Sequence, residues 1–158
     1  MSDPAGEVRI RPMAASDLDR VLEIADSLND APYWPRAAYL TALSQESTPK
    51  RIALVATGLA PEDVRGFLVA VLTPPEADLE SIGIATAFQR RGIGRVILQA
   101  LVDDLGRTAI QRLYLEVRSS HATALAFYRG FGFAQTGIRP AYYIDPVDDA
   151  VLMELGIG

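Results

Sequence analysis

The chain has 158 residues, and at roughly 150 residues per domain it reads as one domain, residues 1–158, with a single core. Apolar residues make up 49% and charged residues 22%, which excludes a disordered or fibrous class. There is no cysteine and one histidine, His121, which excludes disulfides, thiolate or multi-histidine metal sites and a cysteine nucleophile, and the net charge of −5 argues against a broad basic surface for duplex nucleic acid.

Val8–Arg11 alternates and predicts a first strand. Ser16 then opens a helix with Asp17 and Asp19 in its first turn; Leu18, Val21, Leu22 and Ala25 give it an apolar face, and Asn29–Pro32 ends it. Pro35 fits the first turn of a second helix that runs to about Gln45. Lys50, the only lysine, lies in a Thr-Pro-Lys-Arg turn. Arg51–Ala56 and Gly66–Leu72 read as a hairpin. Pro74–Pro75 breaks the chain, and a fourth strand covers Asp78–Ala85. A helix follows from Arg91 or Gly92 to about Arg107, with Ile93, Val96, Ile97, Ala100 and Leu101 on one face. Arg112–Arg118 is a fifth strand. Ser119 or Ser120 is the expected cap of a short helix carrying Ala124, Phe127, Tyr128 and Phe131, and Gly132 is its stop. Phe133–Ile138 and Ala150–Leu155 complete the set, joined by a loop. The order β-α-α-β-β-β-α-β-α-β-β specifies an α/β chain in the mixed α+β sense, a mixed sheet with helices packed on it. The N-terminus lacks the basic and apolar regions of a signal peptide, and no apolar run reaches membrane-span length, so a cytoplasmic location with no membrane contact is the expectation.

Ile82 to Arg95 carries the densest chemistry: a strand enters Arg90-Arg91-Gly92-Ile93-Gly94-Arg95, which enters a helix. Glycines let backbone N–H groups approach an anion, the first helical turn leaves its N–H groups unpaired, and three arginines add charge. This is a cradle for a pyrophosphate. It lacks the Gly-Lys-Ser/Thr of a Walker loop and the third glycine of a dinucleotide fingerprint. In the fifth strand, Leu113, Leu115 and Val117 share one face and Tyr114, Glu116 and Arg118 the other. Glu116 is then either a solvated carboxylate on a half-exposed strand or a general base beside the cradle. Tyr128, on the apolar stripe of the short helix, is either a core tyrosine or a proton donor. Ser119, Ser120 and His121 do not form a Ser-His-Asp arrangement, because no nucleophile elbow surrounds them.

Gln89-Arg90-Arg91-Gly92-Ile93-Gly94 resembles the acetyl-CoA pyrophosphate motif of the GCN5-related N-acetyltransferases, Gln/Arg-x-x-Gly-x-Gly/Ala. Within that superfamily, Leu115–Ser120, Ala126–Phe133, Arg139–Tyr143 and Asp148–Met153 are similar to the RimI-type bacterial ribosomal-protein-alanine N-acetyltransferases, in the same order and spacing. Residues 78–155 carry the likeness. The N-terminal half matches weakly, at Pro32-Tyr33-Trp34-Pro35.

The resemblance implies a mostly antiparallel seven-stranded sheet flanked by about four helices. It also implies acetyl-CoA as co-substrate and no metal. In that frame Glu116 is the base and Tyr128 the donor to the leaving thiolate. The cofactor is held by Ile82, Gly83, Ile84, Arg90, Arg91, Gly92, Ile93, Gly94 and Arg95. His121 stands where the family usually has an asparagine that contacts CoA. The implied acceptor is a protein N-terminus, in particular the N-terminal alanine of a ribosomal protein, and the implied assembly is a monomer or weak homodimer. Tyr33, Trp34, Tyr142 and Tyr143 are aromatic residues placed in loops and are expected to wall the acceptor slot. Asp145, Asp148 and Asp149 beside them would favour basic peptides. Two other readings fit the residues: an acetyltransferase of small amines, amino acids or polyamines, and a non-catalytic sensor of acetyl-CoA. The Glu116 and Tyr128 pair argues against the sensor.

Overall fold

A computed structural model describes residues 7–28 and 34–158. The strands are β1 (Arg9–Pro12), β2 (Lys50–Thr57), β3 (Val64–Thr73), β4 (Glu76–Ile84), β5 (Arg112–Arg118), β6 (Ala134–Tyr143) and β7 (Asp148–Gly156). The helices are α1 (Leu18–Asp26), α2 (Arg36–Leu43), α3 (Ile93–Leu105) and α4 (Ala122–Phe131). The seven strands form one sheet in the order β1-β2-β3-β4-β5-β7-β6. Every pairing is antiparallel except β4 with β5. This is the mixed sheet expected from the element order, and the mostly antiparallel arrangement with four helices implied by the resemblance.

Alternation along the strands divides the core between the two sheet faces. Leu68, Leu113, Leu115 and Met153 pack with Ile97, Leu98 and Leu101 of α3 and with Tyr128 of α4. Val55, Phe67 and Val69 pack with Leu18, Val21 and Ile24 of α1 and Tyr39 of α2. That second face is covered over β2, β3 and the end of β4. Further along, β5 turns Tyr114, Glu116 and Arg118 away from the α3 core.

Several boundaries differ from the sequence reading for local reasons. A short 3-10 turn, Ala15–Asp17, precedes α1, so the helix begins at Leu18. Pro35 stands at the cap position of α2 rather than inside its first turn. The last two strands are longer than predicted, so Tyr142 and Tyr143 belong to β6 and not to a loop.

Asp17 explains the entry to α1. Its buried carboxylate accepts two bonds from Arg11, at 2.8 and 2.7 Å, and one from the Ala14 N–H at 2.7 Å. These bonds, chiefly Arg11's, hold the carboxyl below the ordinary aspartate value. Asp17→Asn is expected to destabilise the fold by about 2 kcal/mol, at the lower end for charged hydrogen bonds because Arg11 keeps solvent contact. The folded value is the depressed one. The contribution is therefore complete above about pH 4 and disappears as pH falls through the folded value. Denaturant titrations at pH 7 and pH 3 check this: the gap between wild type and variant narrows at the lower pH.

The feature that positions the site is a local failure of pairing. Val69 pairs with Ser81 and Ala70 with Leu79, so Glu80 is an extra residue, a bulge in β4. Bulges bend and twist the strand that carries them. Beyond the bulge β4 has left β5: the two pair only at Glu76–Arg112, Ala77–Leu113 and Asp78–Tyr114. The distal halves of both strands, Leu79–Ile84 and Leu115–Arg118, diverge and leave a wedge between them.

Candidate active site

The end of β4 leads through a short 3-10 turn, Thr86–Phe88, into α3. Two left-handed residues shape the approach, Arg90 at φ 63° and Gly92 at φ 83°. Glycine takes that conformation without strain; arginine does not, and such residues concentrate at functional turns. Alternating left- and right-handed residues turn successive N–H groups to one side, which suits an anion. The first bond of the helix runs from the Val96 N–H to the Gly92 carbonyl at 3.1 Å, so the N–H groups before it lie at the open end of α3. The Gln89 side chain donates to the Ile84 carbonyl at 3.1 Å and fastens this turn to the strand end.

The two remaining glycines have opposite surroundings. A Cβ on Gly83 would lie 2.8 Å from both Leu28 Cδ1 and Phe67 Cε1, so β4 is pressed against α1 and the core. A Cβ on Gly94 would meet nothing nearer than Phe127 Cζ at 3.4 Å and Ile84 Cγ1 at 4.0 Å. Gly94 thus sits in contact range of Phe127 and Ile84, where α3, α4 and β4 meet at the wall of the cleft.

A cleft of about 860 Å³ occupies the wedge. It gathers Ile82, Gly83, Ile84, Arg90, Gly92, Ile93, Gly94, Arg95, Glu116, His121, Tyr128 and Tyr143 around one space, although they come from six segments of the chain. Three expected residues do not line it. Arg91 lies over the Phe88 ring at 5.7 Å. Trp34 packs against Tyr39, ring centroids 5.2 Å apart, at the α1–α2 core. Tyr142 stacks edge-on against Tyr143 at 5.2 Å and is exposed. Tyr33 lies outside the described residues. The cleft also includes residues not expected from the sequence, notably Leu28, Phe127 and Arg118. Phe127 carried a usable signal, being adjacent to Tyr128 at the open end of the apolar stripe. Leu28 carried none, because only the packing of α1 on Gly83 brings it there.

Glu116 projects from the divergent half of β5 with its side chain 34% exposed. A guanidinium nitrogen of Arg139 lies 3.9 Å from its Oε1. Tyr128 is buried, its ring edge-on to Phe127 at 5.2 Å and Phe133 at 5.6 Å. Burial pushes its phenol well above the ordinary tyrosine value. It therefore holds its proton at any physiological pH and can act as an acid, not as a base. Burial, then the Glu116 charge, also raises Tyr143.

The α4 cap differs from expectation. His121 is the cap, its Nδ1 accepting the Ala124 N–H at 3.3 Å. Ser119 and Ser120 serve another purpose: their hydroxyls donate to the Asp148 carboxylate at 2.8 and 2.6 Å. Those bonds hold Asp148 down at about 2. Asp149 in turn accepts the Ala141 N–H at 2.8 Å. These two carboxylates therefore fasten the start of β7 to the β5–α4 loop and to β6. The rim beside the tyrosines also carries cations, Arg118 over Tyr143 at 4.4 Å and Arg139 over Tyr142 at 5.4 Å, so it is not the acidic rim that the three aspartates suggested.

Among the described residues no group of three or more His, Asp or Glu side chains could hold a metal ion, and no helix is long and apolar enough to cross a membrane.

Comparison with known proteins agrees with this geometry. Residues 20–133 match the model of the acetyltransferase (GNAT) family. The chain is 39% identical over 93 residues to the [ribosomal protein bS18]-alanine N-acetyltransferase of Escherichia coli K12; the match covers 58% of this chain and 63% of that relative's length. It is 34% identical over 154 residues to the N-alpha-acetyltransferase RimI of Mycobacterium tuberculosis, covering 96% of this chain and 94% of the relative. The crystal structure of the E. coli ribosomal-protein-S18-alanine N-acetyltransferase superposes with a TM-score of 0.81 at 28% identity, over 96% of this chain and 94% of that one.

Proposed function

The chain belongs to the acetyltransferase (GNAT) family, and on that premise we propose that it transfers an acetyl group from acetyl-CoA to the N-terminal α-amine of a protein, with an N-terminal alanine of ribosomal protein bS18 as the acceptor. The observation that carries this reading is the parting of β4 and β5 after three paired positions, with the glycine turn, Glu116 and Tyr128 all opening on the resulting cleft.

Each residue has a role in this scheme. The N–H groups at the start of α3 and the turn Arg90–Gly92 bind the pyrophosphate, assisted by Arg90 and Arg95. Ile82 and Ile84 flank the pantetheine arm, and a backbone N–H on the unpaired side of β4 donates to the thioester carbonyl as negative charge develops there. Acetyl-CoA supplies an activated acyl group and a thiolate leaving group. Glu116, directly or through water, takes a proton from the acceptor ammonium and so frees its lone pair to form the new C–N bond. Tyr128 gives its phenolic proton to the departing sulfur as the C–S bond breaks, and the second proton shed by the new amide nitrogen restores the phenol. Phe127 and His121 close the slot on the α4 side, and Tyr143 closes it on the β6 side.

An α-amine suits a carboxylate base. With a pKa near 8 it is about one-tenth neutral at pH 7, whereas a lysine near 10.4 is about 0.04% neutral. Base, acid and carbonyl donors are all provided by the chain, so no metal has a part in the scheme, and a chelator is expected to leave turnover unchanged.

The test compares an Ala-initiated bS18 peptide, its N-terminally blocked form and free amines, with products identified by mass spectrometry. Acetylation confined to the α-amine of the open peptide is the expected outcome. Faster turnover of free amines would overturn the acceptor assignment. Absence of any turnover with intact acetyl-CoA binding would overturn the enzymatic one.

A further inference from the structure

We infer that Arg51 and Glu80 form a clamp that holds the distal half of β4 away from β5, which makes Arg51 a positioning residue for the thioester-carbonyl donor on the open side of that strand. The inference rests on acetyl transfer taking place in the cleft.

Glu80 is the extra residue of the β4 bulge and has no ladder partner on β3. A bulge bends its strand, and the angle of the bend needs a constraint of its own. The pairing of β4 with β5 ends at Asp78. From Leu79 to Ile84 the strand is laddered to β3 alone, and its end lines the cleft. A strand paired on one side opens more readily than one paired on both. The donor to the thioester lies on that free side, where a displacement of about 1 Å can cost about 100-fold in rate.

Register is not the variable. Without the bulge the distal residues would slide by one, and Ile82 would replace Gly83 opposite Phe67. Even a Cβ on Gly83 would lie 2.8 Å from Phe67 Cε1 and from Leu28 Cδ1, so no isoleucine fits there. Packing therefore keeps the bulge, and what is left to fix is the angle at which β4 departs.

Arg51 supplies that constraint. It stands on β2 opposite Val71 of β3, and Val71 stands opposite Asp78. By alternation it shares a sheet face with Ala53 and Val55, at the border of the α1–α2 core. Its guanidinium reaches over β3 and meets the Glu80 carboxylate as a fork, Nε donating to Oε1 at 2.8 Å and Nη2 to Oε2 at 3.5 Å. The two side chains are only 20% and 23% exposed. A planar fork fixes orientation as well as distance, which a single contact between mobile surface side chains does not. The direction of the tie follows from the strand order: β2 and β5 lie on opposite sides of β4, so the bulge is drawn toward β2 and away from β5. Neither side chain lines the cleft, so an effect on turnover has to pass through β4. The far end of the segment is fastened separately, by the Gln89 side chain on the Ile84 carbonyl and by the Ala85 N–H on the Arg65 carbonyl at 2.8 Å. Opening the clamp thus leaves the turn before α3 in place.

The test compares wild type, Arg51→Met, Glu80→Ala and the double variant, with Asp17→Asn as a stability control outside the cleft. In the unliganded protein, amide hydrogen exchange over Leu79–Ile84 is expected to rise about tenfold in Arg51→Met and to keep its wild-type rate over β5 and β7. CoA affinity by calorimetry is expected to stay within about twofold, because the pyrophosphate is held at the start of α3. At saturating substrates kcat is expected to fall about tenfold, less than the cost of about 10²–10³ for deleting an oxyanion donor, because the donor is displaced and not lost. Glu80→Ala and the double variant are expected to show the same loss, since either change opens the same clamp. Asp17→Asn lowers stability and is expected to keep both kcat and β4 protection. An unchanged kcat in folded Arg51→Met, single losses that multiply in the double variant, or an equal loss in Asp17→Asn overturns the inference. Failure of the acetyltransferase reading looks different: wild type then transfers no acetyl group to any acceptor. Exchange over Leu79–Ile84 still decides on the clamp in that case, and unchanged protection in Arg51→Met overturns it.

Discussion

Gly94→Val is expected to weaken acetyl-CoA binding at least about 100-fold while the melting temperature stays close to wild type. The two halves of this result have separate causes. Gly94 lies in the first turn of α3, where any β-carbon improves on glycine's helix propensity by a few tenths to about 1 kcal/mol. Its Cβ would approach Phe127 at 3.4 Å, a contact that a small ring movement relieves, so the fold accommodates the change. The added methyl groups, however, would crowd the cleft wall at Ile84 and Phe127, beside the first turn of α3. A factor of 100 corresponds to about 2.7 kcal/mol, less than the loss of several charge-assisted hydrogen bonds. Calorimetry gives the affinity and thermal melting the fold; a folded variant with unchanged affinity would remove the cradle from this turn. Gly92→Ala is the poorer probe. At φ 83° any side chain is strained by about 1–2 kcal/mol, so binding and stability would fall together.

Replacing the proposed acid or base is expected to lower kcat by about 10²–10⁴-fold, the usual range for a positioned proton-transfer group. The two variants differ in pH dependence. In Glu116→Gln the residual rate follows the fraction of neutral acceptor and climbs about tenfold per pH unit until the amine's own pKa near 8. In Tyr128→Phe the proposed base is still in place, so the rate drops by a similar factor across the pH range. Burial holds the Tyr128 phenol far above its ordinary value, so no decline from its ionisation is expected in wild type below pH 10. Tyr128→Phe keeps the ring against Phe127 and Phe133, and its melting temperature serves as the control for packing. Stopped-time acetylation assays between pH 6 and 9 provide the comparison. Near-normal turnover in both variants would leave two structural residues and no catalytic pair.

The glycine turn proposed to bind the pyrophosphate is legible in the sequence because its parts are contiguous. Gly92 and Gly94, the arginines and the apolar periodicity from Ile93 to Leu101 fall within one strand-turn-helix unit, and backbone conformation at glycine is a local property. The sheet is only partly legible: seven strands and four helices can be counted, but not that β7 inserts between β5 and β6. Residue type in a supposed loop is a weaker guide. Trp34 and Tyr142 are aromatic residues beside turns, yet one packs on Tyr39 and the other supports Arg139 and Tyr143. Ser119 and Ser120 have the composition of a helix cap, but the stronger acceptor of Asp148, 28 residues from Ser120, takes their hydroxyls and leaves the cap to His121.

What this sequence determined by itself is therefore the set of elements, the two apolar faces, the glycine turn before α3 and the alternation that separates Glu116 from Leu115 and Val117. Each depends on a period of 2 or 3.6 residues or on one glycine, and such signals act within a single turn or strand. What only the tertiary structure decided is where those pieces meet. The bulge at Glu80 bends β4 from β5 after three pairs, and this one displacement creates the cleft. Packing of α1 on Gly83 then brings Leu28 to its wall, and the β7 insertion carries Arg139 to within 3.9 Å of Glu116. These are contacts between residues tens of positions apart, fixed by how whole elements bury their apolar faces against one another, and no local pattern encodes them.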